Sequence, residues 1–400
     1  MRRSTLNVLF LTAISIAWPG MLWAQMSDPP DDALVRLGPV TLVPGLNISN
    51  AGTDSNVFGT ELAQQNDVTA QVTPTASGWI RLRHANINTS SAFTFNYYRT
   101  LSFLRGWDNS NSFRAEFPLR WLTPFVSGSL VNTRQPVTLE IDAPVRSRSS
   151  SGTAGVSVTA IPRLTLTVYG AKGSLEYQHD FTVLGVNFAD SLNHESDGWG
   201  LQVNYSVTPY TRIGVDTQYQ RDLFDTATAS DADNVSVAPF VEFSPNAMIS
   251  GRVSIGAQRR TFLTGTHDTW SGGTAQINLS YVLLGQARLS VDYQRQLQYS
   301  YTTFAQQYLG TWVTGSVNER LGESWDAFVT VGRGTVAYQD ISPTPIPDEA
   351  LRSATAGIGY RVGKTRTGLS IGYQERSTTG PKQTRSYDRV RVGATLTYEF

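Results

Sequence analysis

Apolar and polar residues alternate along most of this chain, and this alternation constrains the fold more than any other feature. Near the carboxyl end, one set of alternate positions is apolar and the other is polar or ionic: Val390, Val392, Ala394, Leu396 and Tyr398 against Arg389, Arg391, Thr395 and Thr397. The same division recurs at 201–207, 277–281 and 287–294. Because successive side chains of a strand point to opposite faces, the pattern predicts many β-strands with one apolar face.

The first 24 residues have the order of a secretory signal peptide. Arg2 and Arg3 precede an apolar run at 6–18, and the small residue Ala24 follows. We predict cleavage after Ala24, with an uncleaved anchor helix as the alternative, then a short periplasmic segment at 25–37 and one barrel domain at 38–400. Beyond Ala24 no apolar stretch approaches the roughly 18 residues of a membrane-spanning helix.

Aromatic residues distinguish a membrane barrel from a soluble sandwich, which also alternates. Tyr residues share the apolar phase and recur near both ends of the predicted strands, where they resemble the two girdles that bracket a hydrocarbon band. The predicted girdle residues are Tyr97, Tyr205, Tyr219, Tyr281, Tyr293, Tyr360, Tyr373, Tyr398 and Phe400.

Short Pro- or Gly-containing connections alternate with longer loops. This spacing predicts an all-β fold, a single closed antiparallel transmembrane β-barrel of about 18 strands, with short periplasmic turns and long extracellular loops. A count of 16 is the alternative, because no clear loop separates two strands near Thr302. We expect residues 135–144 to form a polar or irregular loop. The apolar loop at 180–193 either folds inward as a constriction or extends its two strands above the membrane.

Such a barrel lies in the bacterial outer membrane with both termini periplasmic, and a barrel of this size leaves an aqueous channel. Charged residues in the inward phase then tune which solutes pass. The predicted pore-lining residues are Arg83, Arg212, Asp216, Arg288, Asp292, Arg361, Arg366, Arg389 and Arg391. We expect a passive pore for small hydrophilic solutes, and the rival is a non-conducting surface scaffold or adhesin.

Composition and motifs argue against several other functions. The formal net charge is zero and there is no cysteine, so the sequence predicts no nucleic-acid partner, disulfide or thiol chemistry. Among the four His residues, His194 lies in the best local cluster, with Glu195, Ser196 and Asp197. A solvated barrel rim explains this cluster better than a hydrolase site does. We predict no enzymatic activity, no cofactor and no metal site, and a barrel hydrolase is the remote alternative.

Two short motifs resemble those of known barrels. The terminal Tyr398-Glu399-Phe400 resembles the signal read by the outer-membrane barrel assembly machinery. The segment from Pro44 to Ser49, running into Asp54-Ser55-Asn56-Val57-Phe58, resembles the opening of β-barrel porins found with bacterial exopolysaccharide export systems. The resemblance implies a conduit in such a system, although this chain lacks the helical-repeat domain of some polysaccharide-export barrels. The implied partners are outer-membrane lipid and lipopolysaccharide, the assembly machinery, and small solutes or polysaccharide as cargo.

Overall fold

The computed structural model is almost entirely β-structure. It describes residues 29, 33, 35–61, 64–135, 138–178, 182–183, 185–245, 247–264, 268–283, 285–302, 305–339, 348–378 and 386–399. The predicted signal peptide and its cleavage site lie outside these residues. The strands are β1 (Val35–Leu37), β2 (Val40–Asp54), β3 (Asp67–Arg81), β4 (Asn86–Tyr98), β5 (Gly106–Glu116), β6 (Leu122–Thr133), β7 (Ser147–Ile161), β8 (Leu164–Tyr177), β9 (Thr182–Val183), β10 (Val186–Asn187), β11 (His194–Thr208), β12 (Thr211–Phe224), β13 (Ala232–Phe243), β14 (Ile249–Phe262), β15 (Trp270–Leu283), β16 (Ala287–Tyr299), β17 (Gln307–Leu321), β18 (Trp325–Gln339), β19 (Glu349–Val362), β20 (Thr365–Thr378) and β21 (Tyr387–Glu399). One short helix, α1 (Phe188–Leu192), lies between β10 and β11.

Antiparallel pairing closes the main sheet into a barrel. Each strand pairs with the next along the chain, β8 pairs with β11, and β2 closes the circuit against β21. The sheet has 19 strands in the described part of the chain, of which β1 pairs with β2 alone, so 18 form the closed wall. The predicted closed barrel of about 18 strands is confirmed. The uncertain boundary near Thr302 is the connection between β16 and β17, whereas β1 is a strand that the sequence did not predict within 25–37.

The register separates the two faces of the wall. Residues directly opposite one another in adjacent strands share a face, and following these pairs round the barrel assigns every strand position to the inside or the outside. The outer face exposes large apolar side chains, with Ile255 60% and Leu369 65% exposed. The inner face buries polar ones such as Gln202 and Asp222. The eight tyrosines of the predicted girdle all occupy outer positions. Phe400, the remaining girdle residue, lies outside the described residues. Their contact with the membrane interface stays a prediction.

The two ends of the barrel differ. Connections such as 162–163, 209–210 and 363–364 make a short-turn end, where β2 begins and β21 ends. Connections such as 55–66, 134–146 and 178–193 make a long-loop end. Within the described ranges, the structure contains no helix with the length and apolarity of a membrane-spanning segment.

Aromatic rings lie flat on the inner face because glycines on neighbouring strands make room for them. A Cβ on Gly155 would lie 2.7 Å from the ring of Phe125, and one on Gly214 would lie 2.6 Å from the ring of Phe240. Tyr169 covers Gly200 in the same way, Phe328 covers Gly357, and Trp312 covers Gly332 and Gly334. Each ring fills the gap that a glycine leaves in the sheet. The rings therefore cover the wall and project little into the lumen.

The seam between β2 and β21 contains the irregularity that closes the barrel. The register of β2 shifts between Ile48 and Ala51, and Asn50 adopts a φ of 51° at this bulge. Directly after the bulge, Gly52 pairs with Gly393. A Cβ on Gly52 would overlap the Val392 carbonyl oxygen and lie 2.7 Å from the Cα of Gly393. The seam therefore needs glycine at this position.

We expect Gly52→Ala to weaken closure, because the added methyl group forces the two seam strands apart at a cost of about 1–3 kcal/mol. The measurement is the urea midpoint of the folded, heat-modifiable form on a gel. Gly152→Ala is the matched control, since a Cβ at Gly152 meets nothing within 4 Å. Equal midpoints for the two variants would contradict this account of the seam.

Candidate constriction site

The connection between β6 and β7 folds into the barrel, where residues 138–146 form the segment that we name the inward loop. Ile141 and Val145 are each 3% exposed and Glu140 is 1% exposed. The described residues of the predicted polar or irregular loop at 135–144 are irregular, and several of them are buried. The loop is buried because the apolar side chains of Leu139, Ile141 and Val145 pack into hydrophobic clusters inside the lumen.

Arg376 ties the inward loop to the far wall. It lies on the inner face of β20, six strands round the wall from β6, and its side chain is fully buried. Its guanidinium forms ion pairs with Glu349 of β19 and, at 2.7 Å, with Asp142 of the inward loop. It also donates a hydrogen bond to the Leu139 carbonyl oxygen. A buried charge is stable only when it is paired and hydrogen-bonded. Movement of the inward loop out of the lumen would therefore remove two of the partners of the buried Arg376 guanidinium.

Hydroxyl groups complete the charge cluster around Arg376. The Tyr387 hydroxyl donates to Asp142 at 2.9 Å, and the Tyr338 hydroxyl donates to Glu349 at 3.2 Å. Both tyrosines lie at the long-loop ends of their strands. The two carboxylates therefore receive hydrogen bonds as well as the cation, which fixes their orientation.

The tip of the hairpin β16–β17 bends inward and meets the same loop. Pairing between β15 and β16 ends at Arg295, so the rest of β16 leaves the wall. There the Tyr299 hydroxyl donates to Asp222 of β12 at 2.7 Å, and the Arg260 guanidinium lies 3.9 Å from the Tyr299 ring centroid. Glu140 accepts hydrogen bonds from the Ser300 hydroxyl at 2.7 Å and the Tyr301 backbone N–H at 3.1 Å.

A small apolar core joins these segments to α1. Phe188 is 1% exposed, and its ring packs edge-on against Tyr301 with centroids 4.7 Å apart. Ile141, Val145, Leu175, Tyr177 and Leu192 belong to the same cluster. The loop at 180–193 was predicted either to fold inward or to extend its two strands. Its α1 segment folds inward, and Phe181 and Leu184 lie outside the described residues. Three inward segments thus meet at the long-loop end and narrow the barrel there.

The predicted pore-lining residues at the short-turn end lie on the inner face, with one exception. Arg212 pairs with Glu242 at 2.6 Å, and the Arg366 Nε lies 2.8 Å from Asp326. Arg361 is directly opposite Arg366, and Arg288 is exposed on the same face. Arg83 differs, because β3 ends at Arg81 and Arg83 lies exposed in the following turn. That these side chains line a conducting path stays a prediction.

The other predicted pore residues lie farther from the short-turn end. Asp216 accepts a hydrogen bond from the Tyr169 hydroxyl at 3.4 Å and lies 3.9 Å from Arg252, and Asp292 accepts one from Asn278. Arg389 and Arg391 both bind Asp54, with their Nε atoms 2.8 Å and 3.1 Å from its carboxylate. The predicted set is therefore spread along the wall, with Asp216 and Asp292 in its middle and Arg389 and Arg391 toward the long-loop end. Sequence reasoning missed Arg376, Glu349, Asp142 and Glu140, although Arg376 and Glu349 fall in the inward phase of their strands.

His194 is part of the packing of the wall. Its Nδ1 lies 2.7 Å from the Leu192 carbonyl oxygen, and its ring stacks on Phe224 with centroids 4.8 Å apart. The hydroxyl group of the nearby Ser196 donates a hydrogen bond to Asp222 at 2.6 Å. In the described residues the polar contact of the His194 ring is thus a backbone carbonyl, which gives no nucleophile and base pair. Over the same residues, no group of three or more His, Cys, Asp or Glu side chains is placed to hold a metal ion.

Sequence comparison assigns the chain to a family. The model of the family described as "Putative beta-barrel porin 2" matches residues 127–400. The chain belongs to this family of porins. Together with the closed barrel, membership places the protein in the bacterial outer membrane. Comparison with curated proteins finds no match.

Solved structures with a similar fold include OccAB3 from Acinetobacter baumannii, with a TM-score of 0.48, 11% identity, and coverage of 90% of this chain and 99% of that one. OpdK from Pseudomonas aeruginosa, solved with vanillate, has a TM-score of 0.47 at 9% identity and covers the same shares. The FrpB iron transporter from Neisseria meningitidis has a TM-score of 0.43 at 9% identity, over 92% of this chain and 82% of that one.

We expect Arg376→Met to release the inward loop, because Glu349 and Asp142 would then face each other without the cation, and breaking a buried pair costs about 3–5 kcal/mol. The chain has no cysteine, so Ala143→Cys provides a single thiol on the loop. Maleimide should label it at least about tenfold faster in the Arg376→Met background. Arg366→Met, which removes an inner-face arginine at the other end, should leave the rate unchanged. Equal rates in both backgrounds would contradict the proposed tie.

Proposed function

We propose that this porin is a passive channel for small hydrophilic solutes whose width is set by the inward loop at the long-loop end. The observation that carries the proposal is the tie through Arg376, which holds a chain segment across the lumen of an otherwise wide barrel. A barrel of 18 strands has an interior too wide for its own wall side chains to fill. A segment fixed inside it therefore limits the size of what passes. We place the long loops outside the cell and both chain ends in the periplasm, as is usual for outer-membrane barrels.

The short-turn end supports an entrance that favours anions. The acids Glu242 and Asp326 are each paired with an arginine there. Arg288 and Arg361 share that inner face, and in the described part of the chain neither has an ion pair within 4 Å. Unpaired cations beside a water-filled path attract anions over about 8–10 Å at ordinary ionic strength. Small anionic solutes are therefore the class of cargo that this end favours.

The test of the channel is single-channel conductance of the purified protein in a planar bilayer. We expect steady conductance with an anion preference. Arg288→Ala with Arg361→Ala should move the permeability ratio toward cations by about twofold to fivefold, since one charge at 4 Å in water is worth about 1 kcal/mol. Arg148→Ala, on the outer face, is the control. A folded, heat-modifiable barrel that passes no current would sink the channel and favour the non-conducting scaffold.

A conduit for an envelope polysaccharide is the second candidate, favoured by the partly exposed ring of Trp312. This ring lies flat over Gly332 and Gly334 on the inner face and beside the cluster of Tyr308, Val336 and Leu351. Its Nε1 donates to the Thr314 hydroxyl at 2.6 Å, which fixes its orientation. A fixed indole face offers a flat apolar surface against which the C–H groups of a sugar ring pack.

The polysaccharide candidate predicts that short oligosaccharides interrupt the current through the channel. Trp312→Ala should weaken this block by about tenfold, if the lost stacking is worth about 1.4 kcal/mol. Trp199→Ala is the matched control, because Trp199 lies on the outer face and is 56% exposed. Oligosaccharides that leave the wild-type current unchanged would remove this candidate, while the channel for small solutes would stand.

A further inference from the structure

The outer face of β14 to β19 carries an arc of arginines at the long-loop end. Arg259, Arg295, Arg333 and Arg352 each occupy an outward position one step beyond the apolar residues of that strand face. The preceding outward residues are Ala257, Tyr293, Val331 and Ala354. From β14 to β19, no described outward position at this end of a strand is Asp or Glu. At this end, the described outward positions of these six neighbouring strands therefore carry four arginines and no acid.

Two arginines of the arc lie directly opposite each other. Arg333 of β18 and Arg352 of β19 are register partners, and like charges in this position destabilise a sheet. Arg352 has one acidic neighbour, Glu375, at 3.8 Å, and their side chains are 61% and 34% exposed. Such an exposed pair contributes little. Arg333 is exposed and has no ion pair within the described residues.

Two cations elsewhere on the same outer face are neutralised by acids. Lys172 lies 2.9 Å from Glu195, and Arg221 lies 2.8 Å from Asp233. These pairs stand at the same end of the barrel, on β8 to β13. The arginines of the arc differ from Lys172 and Arg221, because Arg333 has no ion pair in the described residues and Arg352 has only an exposed one. They therefore leave a positive charge that an external anion can neutralise.

The surroundings of the two arginines indicate what kind of anion binds. Val331 and Tyr373 lie next to them toward the apolar band and are 55% and 43% exposed on the outer face. A ligand that reaches both guanidinium groups therefore also contacts an apolar surface. Guanidinium groups bind phosphate oxygens through paired hydrogen bonds. A phosphate-bearing lipid matches both requirements, with its head group at the arginines and its acyl chains on the wall.

We propose that Arg333 and Arg352 form a binding site for the phosphate group of a membrane lipid. With the long loops outward, the lipid of that leaflet is lipopolysaccharide, and this identification rests on the orientation given under Proposed function. Arg295 and Arg259 extend the same charge to neighbouring lipid molecules. The site lies outside the lumen, so it acts on the anchoring of the barrel and leaves the conduction path unchanged.

The experiment measures binding of bisphosphorylated lipid A to the purified protein in neutral detergent micelles by native mass spectrometry. Arg333→Gln with Arg352→Gln should weaken binding by about tenfold or more, or about 1.4 kcal/mol. Arg221→Gln, a paired arginine on the same face, should change it by less than about twofold. Both arginines of the site are exposed, and heat-modifiability confirms that each variant folds.

Three further probes separate the sources of phosphate. Dephosphorylated lipid A should bind the wild type as weakly as bisphosphorylated lipid A binds the double variant. Inorganic phosphate at millimolar concentration should not displace lipid A, and phosphatidylglycerol should bind more weakly.

Wild-type affinity in the double variant, or equal binding with and without the lipid phosphates, would overturn the site. Displacement by inorganic phosphate, or equal binding of phosphatidylglycerol, would overturn the lipopolysaccharide assignment. Wild-type conductance in the double variant keeps each of these outcomes separate from the channel itself.

Discussion

Closure of the strand circuit between β2 and β21 is the constraint on which the rest of the structure depends. Backbone groups in a bilayer have no water to bind, so every strand in the wall needs a partner on both sides. The bulge at Asn50 and the contact of Gly52 with Gly393 make that last pairing possible. Once 18 strands are joined, the interior is wide, and both the polar inner face and the inward segments follow from the need to fill or hydrate it.

The interior meets this need in two ways along its length. Toward the short-turn end, flat rings such as Phe125 and Phe240 rest on glycines and carry arginines above them, with the Arg252 guanidinium 3.7 Å from the Phe240 centroid. At the long-loop end, chain segments enter the lumen and build a second core around Phe188 and Tyr301. The buried Arg376 cluster connects this core to the far wall. The lumen therefore stays wide along most of the wall and narrows at the long-loop end.

The sequence predicted the wall well and the constriction poorly, for a physical reason. Alternation, girdle tyrosines and turn residues are local features, so strands such as β12 and β16 could be assigned from their own residues. The inward loop depends on contacts between residues more than two hundred positions apart, as between Asp142 and Arg376. No local pattern encodes such a pairing. Alternation alone predicts that Arg212 and Arg366 lie on the inner face. The ion pair between Arg389 and Asp54 could not be predicted in this way, because it forms across the seam between β2 and β21.

Residues 138–146 lie inside the lumen, and single-channel conductance of a barrel without their contacts tests this position. In the variant, Gly and Ser residues replace 138–145, so the loop keeps its length and loses Leu139, Glu140 and Asp142, which contact the wall and the β16–β17 tip. The control is Arg148→Ala, on the outer face. We predict that the loop variant conducts several times more current than the wild type and passes larger polymers, while the control behaves as the wild type. A folded, heat-modifiable loop variant with wild-type conductance and wild-type polymer exclusion would contradict the inward position of the loop.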